Sequence, residues 1–171
     1  EAFDPLLGAW AEVASMSVAR SHHAAAVIDG KIYVIGGYDA DGNGLDTVEA
    51  YDPQADSWQQ VASMPEARRR HTATSIGGKI YVTGGHVNSD YTNTLIVFDP
   101  QANTWTERAS MGSARVDHAS AAIGGKLYVF GGFSISGGRT ASVASYDPTS
   151  NTWAQVSDLT SARDEFVAVG I

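Results

Sequence analysis

Lys31-Ile-Tyr-Val-Ile-Gly-Gly37 returns as Lys79-Ile-Tyr-Val-Thr-Gly-Gly85 and again as Lys126-Leu-Tyr-Val-Phe-Gly-Gly132. Each copy alternates residues suited to opposite faces over about five positions and then stops at two glycines. That is the pattern of a short buried strand ending where the backbone must turn sharply. The intervals of 48 and 47 residues lie within the roughly 40 to 50 residue period of multi-stranded propeller blades and exceed that of most two-helix repeats. The chain therefore reads as a repeat protein, all-β, with about three and a half units.

Further landmarks keep the same period. Glu1-Ala-Phe-Asp-Pro5 with Trp10 matches Glu49-Ala-Tyr-Asp-Pro53 with Trp58, Phe98-Asp-Pro100 with Trp105 and Tyr146-Asp-Pro148 with Trp153. The aromatic closes a strand, Asp accepts local backbone hydrogen bonds and Pro presets φ for a turn. Asp56, Asn103 or Asn151, replaced by Gly8 in the first copy, suits a left-handed residue before the Trp strand opens. Arg20, Arg68, Arg115 and Arg163 follow at separations of 48, 47 and 48. After each of the first three comes a strand of small residues, His23–Ile28, His71–Ile76 and His118–Ile123, fit for a crowded axis. One unit thus holds four strands in an up-and-down meander: small-residue, Tyr-Val-x-Gly-Gly, Tyr-Asp-Pro and Trp strands.

Composition agrees. The chain has 171 residues, 18 glycines, four tryptophans, seven tyrosines and three methionines, which suits many turns and large aromatic packing residues. A net charge of −8 argues against a nucleic-acid binder, which needs a basic surface to displace counterions. With no cysteine there is no disulfide framework, thiolate metal site or cysteine nucleophile, and the compartment stays open. No apolar run approaches the ~18 to 20 residues of a membrane span. The opening glutamate, with no charged-then-apolar leader behind it, reads as an excised piece of a longer chain.

The double glycine, the Tyr-Asp-Pro, the spaced Trp and the Arg-x-x-His together resemble the kelch repeat over essentially the whole chain. The resemblance implies a kelch-type β-propeller with three complete four-stranded blades plus parts of a fourth. The expected divisions are 1–12, ending a preceding blade, then repeats at 13–60, 61–108 and 109–155, and 156–171 as the first strand of a further repeat. No second strand of that outer blade is present, and unpaired edges seek partners. The expectation is therefore a part of a larger propeller, or self-association to complete a ring.

Positions that recur in every unit read as structural: Arg20, Arg68, Arg115 and Arg163 satisfying loop carbonyls and pinning blades together, and Trp58, Trp105 and Trp153 packing between sheets. His23, His71 and His118 occupy one equivalent position that becomes Phe166, so packing rather than metal binding is expected there. Asp39, Asp41 and Asn43, with Gly44 at the sixth position, start like a calcium loop, but Ala50 stands where the twelfth-position Glu belongs, which leaves a polar turn. No metal or cofactor is expected.

Function should sit where equivalent positions differ, since packing demands are the same in every blade. Two residues past the arginine stand His22, Arg70, Asp117 and Glu165. Directly after the glycine pair stand Tyr38, His86 and Phe133. The kelch resemblance places both sets on loops that line the channel rim on one face. The leading reading is a non-catalytic interaction module that binds a protein or peptide there, with Tyr38, His86, Phe133, His22, Arg70 and Asp117 as candidate contacts. The alternative is a carbohydrate-handling propeller resembling sialic-acid mutarotases, using Arg70, His22 and His86. A galactose-oxidase-like reading fails on the missing cysteine, and a structural repeat with no ligand is the third reading.

Overall fold

The computed structural model describes residues 1–135 and 137–170, and among these there is no helix. β1 (Ala2–Asp4) and β2 (Ala9–Ala11) pair as an isolated antiparallel hairpin. Blade 1 follows, with β3 (Ala24–Ile28), β4 (Lys31–Ile35), β5 (Val48–Asp52) and β6 (Ser57–Val61) hydrogen-bonded in that order. The short β7 (Arg68–Arg69) leads into blade 2, made of β8 (Thr72–Ile76), β9 (Lys79–Thr83), β12 (Leu95–Asp99) and β13 (Thr104–Arg108). Between β9 and β12, β10 (His86–Val87) and β11 (Asp90–Tyr91) form a small sheet with β7 in the order β11-β10-β7.

Blade 3 repeats the scheme. β14 (Arg115–Val116) precedes β15 (Ala119–Ile123) and β16 (Lys126–Phe130), β17 (Phe133–Ser134) and β18 (Gly138–Arg139) form the loop sheet with β14, and β19 (Val143–Asp147) and β20 (Thr152–Val156) complete the blade. The three blades are the antiparallel four-stranded sheets that the repeats predict. Ladder partners repeat as well: Tyr51 faces Trp58, Phe98 faces Trp105 and Tyr146 faces Trp153. The strand expected at the end of the chain falls partly on Ile171, outside the described residues. Residues 157–170 carry no strand, since in blades 1 to 3 the ladder partner of this segment is the Tyr strand that comes next. The segment nonetheless runs against β15, with Gly170 packed on the carbonyl of Ala122.

The seam between blades is built from the glycine pair and the arginine. The first glycine amide bonds within its own blade (Gly36 to the Thr47 carbonyl, 3.1 Å), and the second donates to the next arginine's carbonyl: Gly37 to Arg68 at 2.9 Å, Gly85 to Arg115 and Gly132 to Arg163 at 2.8 Å. Both glycines are obligatory on steric grounds. Gly36 has φ +60°, and a Cβ there would lie 2.3 Å from the Arg68 carbonyl oxygen.

The guanidinium turns back onto its own blade. Arg68 donates to the Gly84 carbonyl and Thr94 Oγ1, both at 2.9 Å, and Arg115 to the Gly131 and Ser142 carbonyls. Arg20 donates to the Gly36 and Thr47 carbonyls and pairs with the buried Glu49. Arg163 departs from the set: it donates to Ser161 Oγ and lies over the Phe166 ring. Burial pushes the Arg68 pKa down to about 10, so the group stays charged at neutral pH.

The outer side of each seam is held by the tryptophans. Trp58, Trp105 and Trp153 donate their indole N–H to the carbonyls of Ala14, Ala62 and Ala109, at 2.7, 2.8 and 2.6 Å, in the loop that feeds the blade. The left-handed turn residues do a second job. Asp56, Asn103 and Asn151, with φ of 45°, 52° and 55°, accept from the amides of those same loops at Ala14, Ala62 and Ala109. Apolar contact fills the space between. Tyr33, Ile35 and Val48 of blade 1 share a buried cluster with Ile80, Ile96 and Phe98 of blade 2, and Tyr81 and Leu95 of blade 2 share another with Leu127 and Tyr146 of blade 3.

Two outcomes follow. Trp105→Ala removes ring packing against Phe98, 5.0 Å away between centroids, together with the Ala62 hydrogen bond. Chemical denaturation should show a loss of about 3 kcal/mol. The second concerns acid. His71 and His118 are wedged beneath Gly36 and Gly84, where burial, reinforced by the neighbouring Arg68 and Arg115, pushes each pKa down to about 3. The unfolded chain takes up those protons near the ordinary 6.5, so stability is full above that value and falls as pH drops toward 3. At pH 5 each ring should cost about 2 kcal/mol relative to pH 7, and His118→Phe should flatten the pH dependence of denaturation by roughly that share.

Candidate functional site

The arginine is followed by three residues and then the innermost strand, so the chain must reverse tightly at the channel mouth. It does so with a left-handed residue in each unit: His22, Arg70, Asp117 and Glu165 have φ of 54°, 54°, 53° and 52°. Their backbones link one unit to the next. The Arg70 amide donates to the His22 carbonyl (2.9 Å), the Asp117 amide to the Arg70 carbonyl (3.2 Å) and the Glu165 amide to the Asp117 carbonyl (2.8 Å). The four positions that the sequence marks as variable thus form a hydrogen-bonded arc around the axis.

The residues after the glycine pair stand directly outside this arc. Tyr38 bridges to Ser21, His86 pairs with Arg69 and Phe133 with Val116. The two variable sets therefore share one face. His22 meets Tyr38 edge-on with centroids 5.8 Å apart. Across the seam, Arg70 Nη1 donates to Asp117 Oδ2 at 2.7 Å, a bond that raises the Arg70 pKa.

Two participants were not expected from the sequence. Arg69, within the run Arg68 to Arg70, lies over the Tyr38 ring with its Cζ 4.5 Å from the centroid and donates to the Asn88 carbonyl at 2.9 Å. Tyr38 belongs to the loop of blade 1, so the contact crosses the seam of blades 1 and 2 and has no local trace in the sequence. Tyr91 stands edge-on to His86 at 4.6 Å and to Phe133 at 6.3 Å, joining blades 2 and 3. A tyrosine in a polar loop with no counterpart in the other units carries no repeat signal.

Burial, then Arg69 and Arg70, depress the His86 pKa, so this ring is neutral at pH 7. Among the described residues no group of three His, Cys, Asp or Glu converges as a metal site. Asp39 turns both carboxylate oxygens onto its own loop, accepting from the Asp41 and Asn43 amides and from Asn43 Nδ2. Behind the arc an axial cavity of about 320 Å³ is lined by His23, His71, His118 and small residues of β3, β8 and β15. Hydroxyls tie its walls together: Thr74 Oγ1 lies 2.7 Å from Ser120 Oγ, and Ser75 donates to the Val27 carbonyl. Larger clefts of about 460 and 500 Å³, beside Trp58 and Trp105, include none of the arc residues.

The fold and its repeats have relatives. Residues 9–159 match the model of the KLHDC2/KLHL20/DRC7 Kelch-repeats domain. Over 47 residues, 28% of this chain and 10% of the relative, the sequence is 40% identical to an F-box/kelch-repeat protein of Arabidopsis thaliana. The solved structure of YjhT superposes with a TM-score of 0.79 at 22% identity, over 91% of this chain and 57% of that one. The chain therefore spans a tenth of the curated relative and a little over half of the structural one, and the latter likeness speaks to fold alone. With a family model covering most of its length and its motifs in the seams that define the fold, the chain belongs to the kelch-repeat family of β-propellers.

Proposed function

We propose that this chain is a non-catalytic interaction module whose loop face binds a protein or peptide partner, with His22, Arg70 and Asp117 of the arc and Tyr38, His86 and Phe133 outside it as the contacts. The observation that carries this reading is the arc itself. A left-handed backbone at a residue other than glycine costs about 1 kcal/mol. Every described unit tolerates that cost with a different side chain: an imidazole, a guanidinium and two carboxylates. The backbone bonds alone would be served as well by glycine. What glycine would remove is the side chain at the channel mouth, beside aromatic planes, and aromatic and arginine groups are what anchor partners. Against catalysis, Asp117 is committed to Arg70, and His86 Nδ1 has no hydrogen-bond partner, so no carboxylate orients that imidazole.

Stability and binding should separate by substitution. His22→Gly should be more stable than His22→Ala by about 1 kcal/mol in chemical denaturation, because only glycine relieves the backbone. For binding, the purified chain would be panned against a phage-displayed library of random linear peptides and, in parallel, applied to a glycan array. Peptides should be retained, and Arg70→Gly combined with Phe133→Ala should release them while the melting temperature stays nearly unchanged. Retention of glycans only, or peptide retention indifferent to both substitutions, would overturn the reading.

A further inference from the structure

Charge on the loop face is not spread evenly once the internal ion pairs are taken out. Arg70 is neutralised by Asp117 across the seam of blades 2 and 3, and Arg139 by Asp164 beyond blade 3. Apart from the repeated arginines, of which Arg163 lies over the Phe166 ring, two charges in or beside the arc have no ion pair among the described residues. One is Arg69, at the seam of blades 1 and 2, laid on Tyr38 beside His22. The other is Glu165, exposed, one unit past Asp117 in the arc. The carboxylates beside the cationic side are turned elsewhere: Asp39, next to Tyr38, accepts from its own loop, and Asp90 lies in β11, two strands outward from Arg69 in the order β11-β10-β7.

Between these charges lies an apolar step. Phe133 is 37% exposed and Ile135 73% exposed, and Tyr91 reaches Phe133 from blade 2. Around the ring the order is therefore cation with aromatic, then apolar ridge, then anion, one on each successive seam. A chain of net charge −8 that keeps an uncompensated arginine beside the channel mouth presents an attractive spot for an acidic group within a repelling surface.

We propose that the segment bound on this face carries an apolar side chain between an acidic and a basic one: the acid over Arg69 and Tyr38, the apolar group on Phe133, Tyr91 and Ile135, the base over Glu165. This deepens the interaction reading given above and rests on it. The charged ends select and steer while the apolar group anchors, which is the usual division between the rim and the centre of an interface. Such a segment discriminates by repulsion as well. A peptide acidic at both ends meets Glu165, and one basic at both ends meets Arg69.

The test uses the intact chain and the peptides recovered from the random library. Those released by Arg70→Gly with Phe133→Ala should share the acid, apolar, base order. Arg69→Glu should weaken the best of them about tenfold or more, and replacing the peptide's acid by Lys should restore it. Among the described residues Glu165 makes no side-chain hydrogen bond, so Glu165→Lys provides a second reversal with little bearing on folding. It should weaken the same peptide, and replacing the peptide's base by Glu should rescue it. Recovered peptides that depend on the rim yet lack the charge order, or ignore both reversals, would overturn this proposal and leave the interaction reading standing. If no recovered peptide depends on the rim, both fall.

Discussion

The structure hangs on the hydrogen bond from the second glycine of one blade to the carbonyl of the next blade's arginine. Neighbouring sheets in a propeller share no ladder, so their registration must come from a few polar bonds placed in an otherwise apolar seam. Here the bond works because the glycine pair lets backbone approach backbone with no Cβ between, and because the arginine is immobilised from its far end. A guanidinium suits that task. Its planar fork reaches a loop carbonyl from one Nη and a side-chain oxygen from the other at once, which a lysine ammonium on a flexible stem does less well. Its charge is tolerated in the seam because carbonyl dipoles face it directly, and the pKa of Arg68, though lowered, stays well above neutrality.

The seams are equivalent without being identical. Arg20 has Glu49 as its counter-ion, whereas Arg68 turns to Thr94 and Arg115 to Ser113 and Ser142. Glu49 also accepts from the Ser17 amide, so it ties the incoming loop to the third strand while neutralising the arginine. A buried ion pair of this kind gains little over hydroxyl partners, since the desolvation of Glu49 offsets much of the attraction. Its effect is more local: it fixes one loop in blade 1. In blades 2 and 3 the same strand position is Ile96 and Ala144, both buried, and there the loop is held by the tryptophan and the turn asparagine, with the Met64 and Met111 amides bonded to the Asp46 and Asn93 carbonyls.

Most of the fold is legible in the sequence because each seam repeats. Gly-Gly, arginine, Asp-Pro and tryptophan recur at fixed spacing, and a spacing that recurs in tandem translates into one strand order. The turn residues Asp56, Asn103 and Asn151 are readable as left-handed from their type. Their second role, capping a loop more than forty residues away, is not, since nothing local in the sequence encodes a partner so distant. The same limit explains the site. His22, Arg70 and Asp117 are recognisable as variable positions, but the stacking of Arg69 on Tyr38 forms across the seam of blades 1 and 2, and the bridging by Tyr91 depends on β10 and β11, which are two residues long and leave no periodic trace.

The arc at the channel mouth shows how one structure can hold its shape while its chemistry changes. The hydrogen bonds that carry it from unit to unit run through backbone amides and carbonyls at every seam, with the Arg70–Asp117 pair added at one, so the turn does not depend on a particular side chain. Any residue able to bear a positive φ closes the turn at nearly the same energy, and the four described units use three different kinds of polar group there. Tyr38, His86 and Phe133 follow the same rule one position outward, where the backbone pairs with the incoming loop. A scaffold whose unit-to-unit bonding at this face recurs in the backbone leaves the side chains there open to differ. The constraint that fixes the propeller and the freedom that makes its face specific are therefore the same arrangement of peptide groups.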